Sequence, residues 1–142
     1  MLQFTYPVKL TRDRKDGGYV VTFRDIPEAI TQGDNVEEAL TEAEGALQAA
    51  IEARIEDALD IPAPSRAKSR ERLVSTPVTT ALKAAVYLAM REQGVSKSEL
   101  ARRMQVHEKE ARRMLDPHHQ TKVVALERAL AVLGLRAEIA VS

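Results

Sequence analysis

Charged side chains recur at helical spacing between residues 96 and 115, where their types and spacing suit contact with DNA. Arginine can donate two hydrogen bonds to guanine and glutamate can accept one from cytosine, and such contacts select a base sequence. Lysine and arginine can also bind phosphate, which supplies affinity without sequence information. We expect DNA contacts from the following residues: Lys97, Arg102, Arg103, Glu108, Lys109, Arg112, Arg113, Thr121 and Lys122.

Two short helices, predicted at 96–104 and 107–115, must position most of these side chains. Ser96 and Glu99 have the spacing of a capping box at the start of the first helix. The following residues are expected to point inward: Leu100, Ala101, Met104, Val106, Ala111, Met114 and Leu115. This spacing is that of a helix-turn-helix, whose second helix enters the DNA major groove. The alternative is a solvated helical bundle with scattered arginine residues.

The turn between these helices departs from the common form of the motif, which often has glycine where this chain has Gln105. If the backbone there is left-handed, the side chain costs about 1 kcal/mol. Thr121 is expected to cap the next helix, so that the first N–H groups of that helix and Lys122 could bind a phosphate.

Carboxylates and histidines elsewhere do not form a recognisable catalytic or metal site. Asp25, Glu28 and Asp34 lie in predicted loops, where such residues are more often turn formers than metal ligands. The adjacent His118 and His119 would point apart in a loop, and no histidine precedes residue 107. No nucleophile has a nearby base. We therefore expect no enzymatic activity, no metal ion and no cofactor.

The net charge of the chain is zero, but the charges are unevenly distributed along it. Residues 1–65 hold 6 basic and 13 acidic residues, whereas residues 66–142 hold 15 basic and 8 acidic ones. This asymmetry suggests a cationic partner for the first part and phosphate for the second. The alternative is an accident of two solvated surfaces.

Composition indicates a soluble globular protein, since 44% of residues are hydrophobic and 30% are charged. No apolar run approaches the roughly 20 residues that span a bilayer. The first seven residues lack the basic and apolar regions of a signal peptide. Cysteine is absent, which is consistent with a cytoplasmic location.

The first part of the chain is expected to form three strands, at 4–10, 19–23 and 29–34, because apolar and β-branched residues alternate there. The first two should pair as a hairpin through Gly17 and Gly18. Since Pro7 has no N–H, the first strand is expected at a sheet edge or with a bulge.

A helix is predicted after these strands, with Asn35 as its cap and Glu38 three residues later. Its apolar stripe, which should pack on one face of the sheet, comprises Leu40, Ala43, Leu47, Ala50, Ile51, Ile55 and Leu59. The prolines in 61–65 should end this helix. A basic linker and a possible fourth strand at 73–77 follow.

The remaining residues predict helices at 78–93, 96–104, 107–115 and 121–133, with a possible final strand at 137–141. Gly94 and Gly134 are expected to end the first and last of these helices. The fold class is therefore α+β. We expect two domains, at 1–75 and 76–142, with a linker at about 61–75.

Several segments resemble the HicB antitoxin family. They are Tyr6-Pro7-Val8, Gly17-Gly18-Tyr19, the segment 23–34 (FRDIPEAITQGD), the segment 61–65 (IPAPS) and the downstream helix-turn-helix. The resemblance spans nearly the whole chain. Its most specific part runs from Asp25 to Gly33.

The resemblance implies a first domain with a reduced, catalytically inactive ribonuclease H-like β-β-β-α(-β) fold. In such proteins this domain occludes a small basic RNA-cleaving toxin, HicA. By matching position, the residues that would face the toxin are Tyr19, Asp25, Glu28 and Asp34. The second domain would dimerise and bind operator DNA, so that the protein represses its own transcription.

Two alternatives to an antitoxin remain at the level of sequence. One is a stand-alone transcriptional regulator whose first domain oligomerises or senses a ligand. The other is an RNA-cleaving enzyme of the ribonuclease H type, which needs clustered carboxylates that hold Mg²⁺. The enzyme is the less favoured alternative, because neither of the first two predicted strands, 4–10 and 19–23, contains an acidic residue.

Overall fold

The computed structural model describes all 142 residues, which form an antiparallel sheet of four strands and five helices. The strands are β1 (Thr5–Arg12), β2 (Tyr19–Thr22), β3 (Ile30–Gly33) and β4 (Arg72–Ser75). The helices are α1 (Val36–Glu56), α2 (Val78–Gln93), α3 (Lys97–Met104), α4 (Glu108–Leu115) and α5 (Val123–Val132). None of these helices has the length and apolar character needed to cross a membrane.

The chain divides into two compact units. The first unit comprises residues 1–54 and 61–77, and the second comprises 55–60 and 78–142. The first unit has 10 basic and 11 acidic residues, and the second has 11 and 10. The charge asymmetry along the sequence is therefore not a difference between the folded units. It disappears because the basic residues of 66–72 fold with the first unit and three acidic residues of 55–60 fold with the second.

The sheet of the first unit has the strand order β3-β2-β1-β4. As predicted, β1 and β2 form a hairpin, and both Gly17 and Gly18 adopt the positive φ that this turn requires. The possible fourth strand is also confirmed, since Tyr6 on β1 pairs with Val74 on β4. The sheet and the buried face of α1 provide the core of this unit.

The prediction that Pro7 lies at a sheet edge or in a bulge is wrong, because β1 has a neighbour on each side and pairs with β4 in unbroken register through Pro7 and Leu73. The N–H of Thr76 donates to the carbonyl of Phe4, and alternation along the antiparallel pair turns the Pro7 nitrogen away from β4. On the other side, β2 pairs with β1 only from Lys9 to Arg12. The missing N–H of proline therefore costs the sheet no hydrogen bond.

Helix α1 begins as predicted, since the side-chain oxygen of Asn35 accepts a hydrogen bond from the Glu38 N–H at 2.8 Å. The helix ends at Glu56, before the prolines, because Ala58 adopts a left-handed conformation with φ of 55°. Leu59 is consequently 53% exposed, and its assignment to the apolar stripe is wrong.

The second unit buries one continuous apolar cluster contributed by α2 to α5. The predicted C-terminal ends of α2 and α5 are confirmed by the positive φ of Gly94 and Gly134, and the predicted start of α3 is confirmed because the Ser96 hydroxyl accepts from the Glu99 N–H. The possible final strand is not formed. Ile139 and Val141 are 80% and 91% exposed, because no other strand of this unit is available to pair with them.

Candidate functional site

Helices α3 and α4 are joined by a tight turn centred on Gln105, whose backbone is left-handed (φ 59°, ψ 43°). The turn is closed by the Val106 N–H, which donates to the Ala101 carbonyl at 3.0 Å. Only glycine adopts this conformation without a penalty, so the chain carries a strain of about 1 kcal/mol at Gln105. The left-handed backbone that the sequence analysis considered for Gln105 is therefore present.

The inward-facing residues of α3 and α4 are those expected from the sequence. The buried residues are Leu100, Ala101 and Met104 on α3 and Ala111, Met114 and Leu115 on α4. Val106 in the turn is half-buried. Since one face of each helix is committed to the core, the polar faces of both helices are turned to solvent.

The basic residues on these exposed faces fall into two classes, those that pair with a glutamate of the same helix and those that form no ion pair. Glu99 pairs with both Arg102 and Arg103, and Glu108 pairs with Arg112 one turn away at 2.5 Å. Exposed pairs of this kind contribute only about 0.3–0.5 kcal/mol, so a phosphate or a base can replace the carboxylate at little cost.

The second class comprises Lys97, Lys109 and Arg113, which are exposed and form no ion pair. An unpaired cation can bind a phosphate without first giving up a partner. Helix α4 can therefore present one arginine in an exchangeable ion pair, Arg112, and two unpaired cations to a nucleic acid.

The start of α5 differs from the sequence expectation. Its N-terminal cap position is occupied by Lys122, which makes no side-chain capping bond, and the helix begins at Val123. The prediction that Thr121 caps this helix is wrong, because the residue lies one position too early. Its hydroxyl instead donates to the His119 carbonyl within the preceding loop.

Two of the acidic residues expected to face a protein partner are engaged within the first unit. The Asp25 carboxylate accepts hydrogen bonds from the Ser65 N–H at 2.8 Å and from its hydroxyl at 2.5 Å. The Glu28 carboxylate forms a two-bond ion pair with Arg54. This pairing holds the pKa of Glu28 below its ordinary value.

The other two residues, Tyr19 and Asp34, lie together at the opposite end of the β2–β3 pair. Tyr19 is half-buried and pairs with Gly33, and the exposed Asp34 follows directly. Close backbone packing holds this end, because a Cβ atom at Gly18 would lie 2.4 Å from the Gly33 carbonyl oxygen. The structure thus places Tyr19 and Asp34 at one end of the β2–β3 pair, whereas Asp25 and Glu28 lie in the loop at its other end.

Sequence reasoning missed Lys83, a buried lysine on α2. Its Nζ donates to the carbonyl of Asp116 at 2.6 Å and to that of His119, so it holds the connection between α4 and α5. Helical spacing could have indicated this position, because Lys83 lies three residues before the buried Val86 and seven before the buried Met90.

Comparisons with known proteins relate more than nine-tenths of the chain to one family of antitoxins. Residues 5–85 match a sequence model described as a HicB-like antitoxin of bacterial toxin–antitoxin systems. The chain is 40% identical over 129 residues to Antitoxin HicB of Escherichia coli K12, covering 91% of this chain and 93% of that protein. It is 38% identical over 134 residues to Antitoxin HicB 2 of Photorhabdus laumondii, covering 94% of each. It is 32% identical over 136 residues to Antitoxin HicB of Pseudomonas fluorescens, covering 95% of this chain and 92% of that one.

Proposed function

Because the chain belongs to the HicB-like antitoxin family, we propose that it occludes a small basic RNA-cleaving toxin of the HicA type and represses its own operon. The observation that carries this proposal is the likeness to named antitoxins over more than nine-tenths of the chain, across both units. Both partners, a ribonuclease and operator DNA, would be met in the cytoplasm.

Operator binding is assigned to α3 and α4 as a helix-turn-helix. In this proposal α4 enters the major groove, where Glu108 at its first position and Arg112 one turn further along meet base edges. The remaining contacts are to phosphates and comprise Lys97, Arg102, Arg103, Lys109, Arg113 and Lys122, with Thr121 beside them in the loop. The support is the combination of a buried apolar face and an exposed cationic face on two helices joined by a tight turn.

The helix-turn-helix is proposed to act as a homodimer on a near-palindromic site, as such motifs often do. The exposed apolar residues of the C-terminal segment, Ile139 and Val141, are the proposed dimer surface together with α5. Pairing of this segment with its copy would give it the hydrogen-bond partner that a single chain does not provide.

Toxin binding is assigned to the first unit, which we propose is a reduced ribonuclease H-like domain without catalytic activity. None of the four strands carries an aspartate or glutamate, which supports a role in occlusion and not in metal-dependent cleavage. We propose that Tyr19 and Asp34 contact the toxin directly, whereas Asp25 and Glu28 hold the loop beside it.

The test is co-expression with the small basic protein encoded beside this gene, followed by native mass measurement of the purified complex. We expect a stable complex, restored growth of cells that express the toxin, and binding of the complex to its own promoter. Promoter binding without toxin binding or growth rescue would contradict the antitoxin proposal and identify a stand-alone regulator.

A further inference from the structure

Residues 65–72, here called the basic loop, form a cationic segment of the first unit that ends at Arg72, the first residue of β4, and that lies outside the surfaces assigned above. Four exposed cations occupy every second position, namely Arg66, Lys68, Arg70 and Arg72. Glu71 is the only carboxylate in the segment. The sequence alone predicted a basic linker or crossover at 66–72, and the hydrogen bonds of this segment are those of a fixed loop.

Arg24 holds the basic loop from outside it. The guanidinium donates to both carboxylate oxygens of Glu71, at 3.0 and 2.9 Å, and to the Arg66 carbonyl. The Lys68 N–H also donates to the Glu71 carboxylate, at 2.6 Å, and Asp25 binds the start of the loop at Ser65. The shape of the loop is therefore set before any ligand arrives.

The same contacts commit the single carboxylate of the loop to Arg24, and of the four loop cations only Lys68 also acts on its charge. Arg24 and the Lys68 N–H lower the pKa of Glu71 to about 2, so its carboxylate stays ionised and remains committed to Arg24. None of the four loop cations forms an ion pair with a side chain. The loop thus carries four positive charges whose only acidic neighbour in sequence is already neutralised.

The positive charge of the loop is opposite in sign to the net charge of the rest of the first unit. Outside the loop, the first unit has 6 basic and 10 acidic residues, so the loop is a local positive patch on a negatively charged body. A basic toxin would be repelled by this patch. Phosphate groups would be attracted, and three of the four cations are arginines, whose planar donors suit two-bond contacts to phosphate.

We propose that the basic loop binds the phosphate backbone of double-stranded DNA, as a second contact of the chain that holds its operator through α4. This inference rests on the proposed function, because operator DNA is the polyanion that the same chain is proposed to bind. The contact adds affinity and salt dependence without base preference.

The test measures operator binding by the full-length chain, using fluorescence anisotropy between 50 and 300 mM salt. The loop variant carries Arg66→Gln, Lys68→Gln, Arg70→Gln and Arg72→Gln. Each lost phosphate contact should reduce the slope of log K against log salt by about 0.9. We expect the slope to fall by about 2–4 and the affinity at 50 mM salt to fall at least tenfold.

The control variant removes four other exposed cations of the first unit, through Lys9→Gln, Arg12→Gln, Arg14→Gln and Lys15→Gln. Its net charge equals that of the loop variant, so a general electrostatic effect would change the salt slopes of both variants equally. We expect its slope to change by less than about 1. Circular dichroism melts of both variants check that the fold is retained.

A third variant, Arg24→Gln, alters no loop residue but releases Glu71 to neutralise its neighbours. It should reproduce part of the loss in slope, by about 1, whereas a single Lys9→Gln change should not. Equal slopes for the loop and control variants would overturn the proposal while leaving α4 as the operator contact. Failure of the unaltered chain to bind its operator would overturn the proposed function as well. A larger loss on single-stranded RNA than on duplex DNA would overturn the assignment to DNA.

Discussion

The Nζ atom of Lys83, on α2, lies 2.6 Å from the carbonyl oxygen of Asp116, the residue that ends α4. Lys83 is only 3% exposed, and it also donates to the His119 carbonyl. A cation at this position also interacts favourably with the negative end of the α4 dipole. One buried side chain thereby sets where α4 stops and how the chain turns towards α5.

Substitution Lys83→Met should lower the free energy of unfolding by about 1.5–3 kcal/mol, because both carbonyls lose a charged donor. Urea denaturation provides the measurement. The control is Lys97→Met, an exposed lysine in the same unit, which should stay within about 0.5 kcal/mol of the unaltered protein. Equal effects of the two substitutions would contradict the structural role of Lys83.

Substitution Gln105→Gly should raise the free energy of unfolding by up to about 1 kcal/mol, since glycine tolerates the left-handed backbone of the turn. Gln105→Ala keeps the Cβ atom and therefore the strain, so its stability should stay within about 0.5 kcal/mol of the unaltered protein. Thermal denaturation of the three proteins tests this order. A glycine variant no more stable than the alanine variant would show that the turn is unstrained.

Substitution Arg112→Ala should weaken operator binding by about 1–3 kcal/mol and relax the base preference, because this arginine is proposed to reach a base edge. Arg113→Ala is the matched variant one residue along α4. It should weaken binding to operator and random duplexes alike and reduce the salt slope by about 0.9. Equal loss on random DNA for Arg112→Ala would make that residue a phosphate contact.

Substitution Asp34→Asn should weaken toxin binding by about 0.2–1 kcal/mol, mainly through slower association, without changing the melting temperature. The Asp34 side chain is exposed and forms no hydrogen bond or ion pair, so its loss should change the free energy of unfolding by less than about 0.5 kcal/mol. Asp25→Asn should instead lower the melting temperature, because Asp25 holds Ser65. Surface plasmon resonance and thermal melts separate the two effects, and a melting change for Asp34→Asn would argue against a purely external role.

The stability of the first unit should depend on pH through Glu71. Its pKa is lowered from 4.5 to about 2 in the folded chain, so its ionised form stabilises the fold above pH 4.5. That contribution should be lost as the pH falls from 4.5 towards 2. Glu71→Gln should therefore be less stable than the unaltered chain at pH 7 and should match it near pH 2, as measured by urea denaturation. The control is Glu44→Gln, at an exposed α1 residue, which should stay within about 0.5 kcal/mol of the unaltered chain at pH 7.

Local chemistry explains why most of the elements could be predicted. Asn35 and Ser96 cap their helices as expected, because a cap depends on residues only three positions apart. Gly17, Gly94 and Gly134 mark turns for a similarly local reason, since each adopts a positive φ. The inward faces of α3 and α4 followed from helical periodicity alone.

The errors arise where a distant residue decides the outcome. Pro7 is tolerated in a central strand because β2 pairs with β1 only from Lys9 onward. No local pattern around the proline reveals where this pairing stops. Helical spacing could indicate the buried position of Lys83 but not its role, because the two carbonyls that accept its hydrogen bonds lie more than 30 residues away. The charge count over residues 1–65 and 66–142 was misleading for the same reason. Residues 55–60 fold with the second unit, and residues 66–72 fold with the first.

The last residues of α1 and the turn after it, 55–60, have a consequence for exchanging parts between related proteins. These residues belong to the second unit, where the Leu59 carbonyl accepts from the Tyr87 hydroxyl and the Ala58 carbonyl accepts from Arg91. A chimera joined between Pro77 and Val78 would pair Tyr87 and Arg91 with a foreign helix end. An exchange that moves the second unit with all of its own contacts must therefore carry two separate stretches of the gene, 55–60 and 78–142.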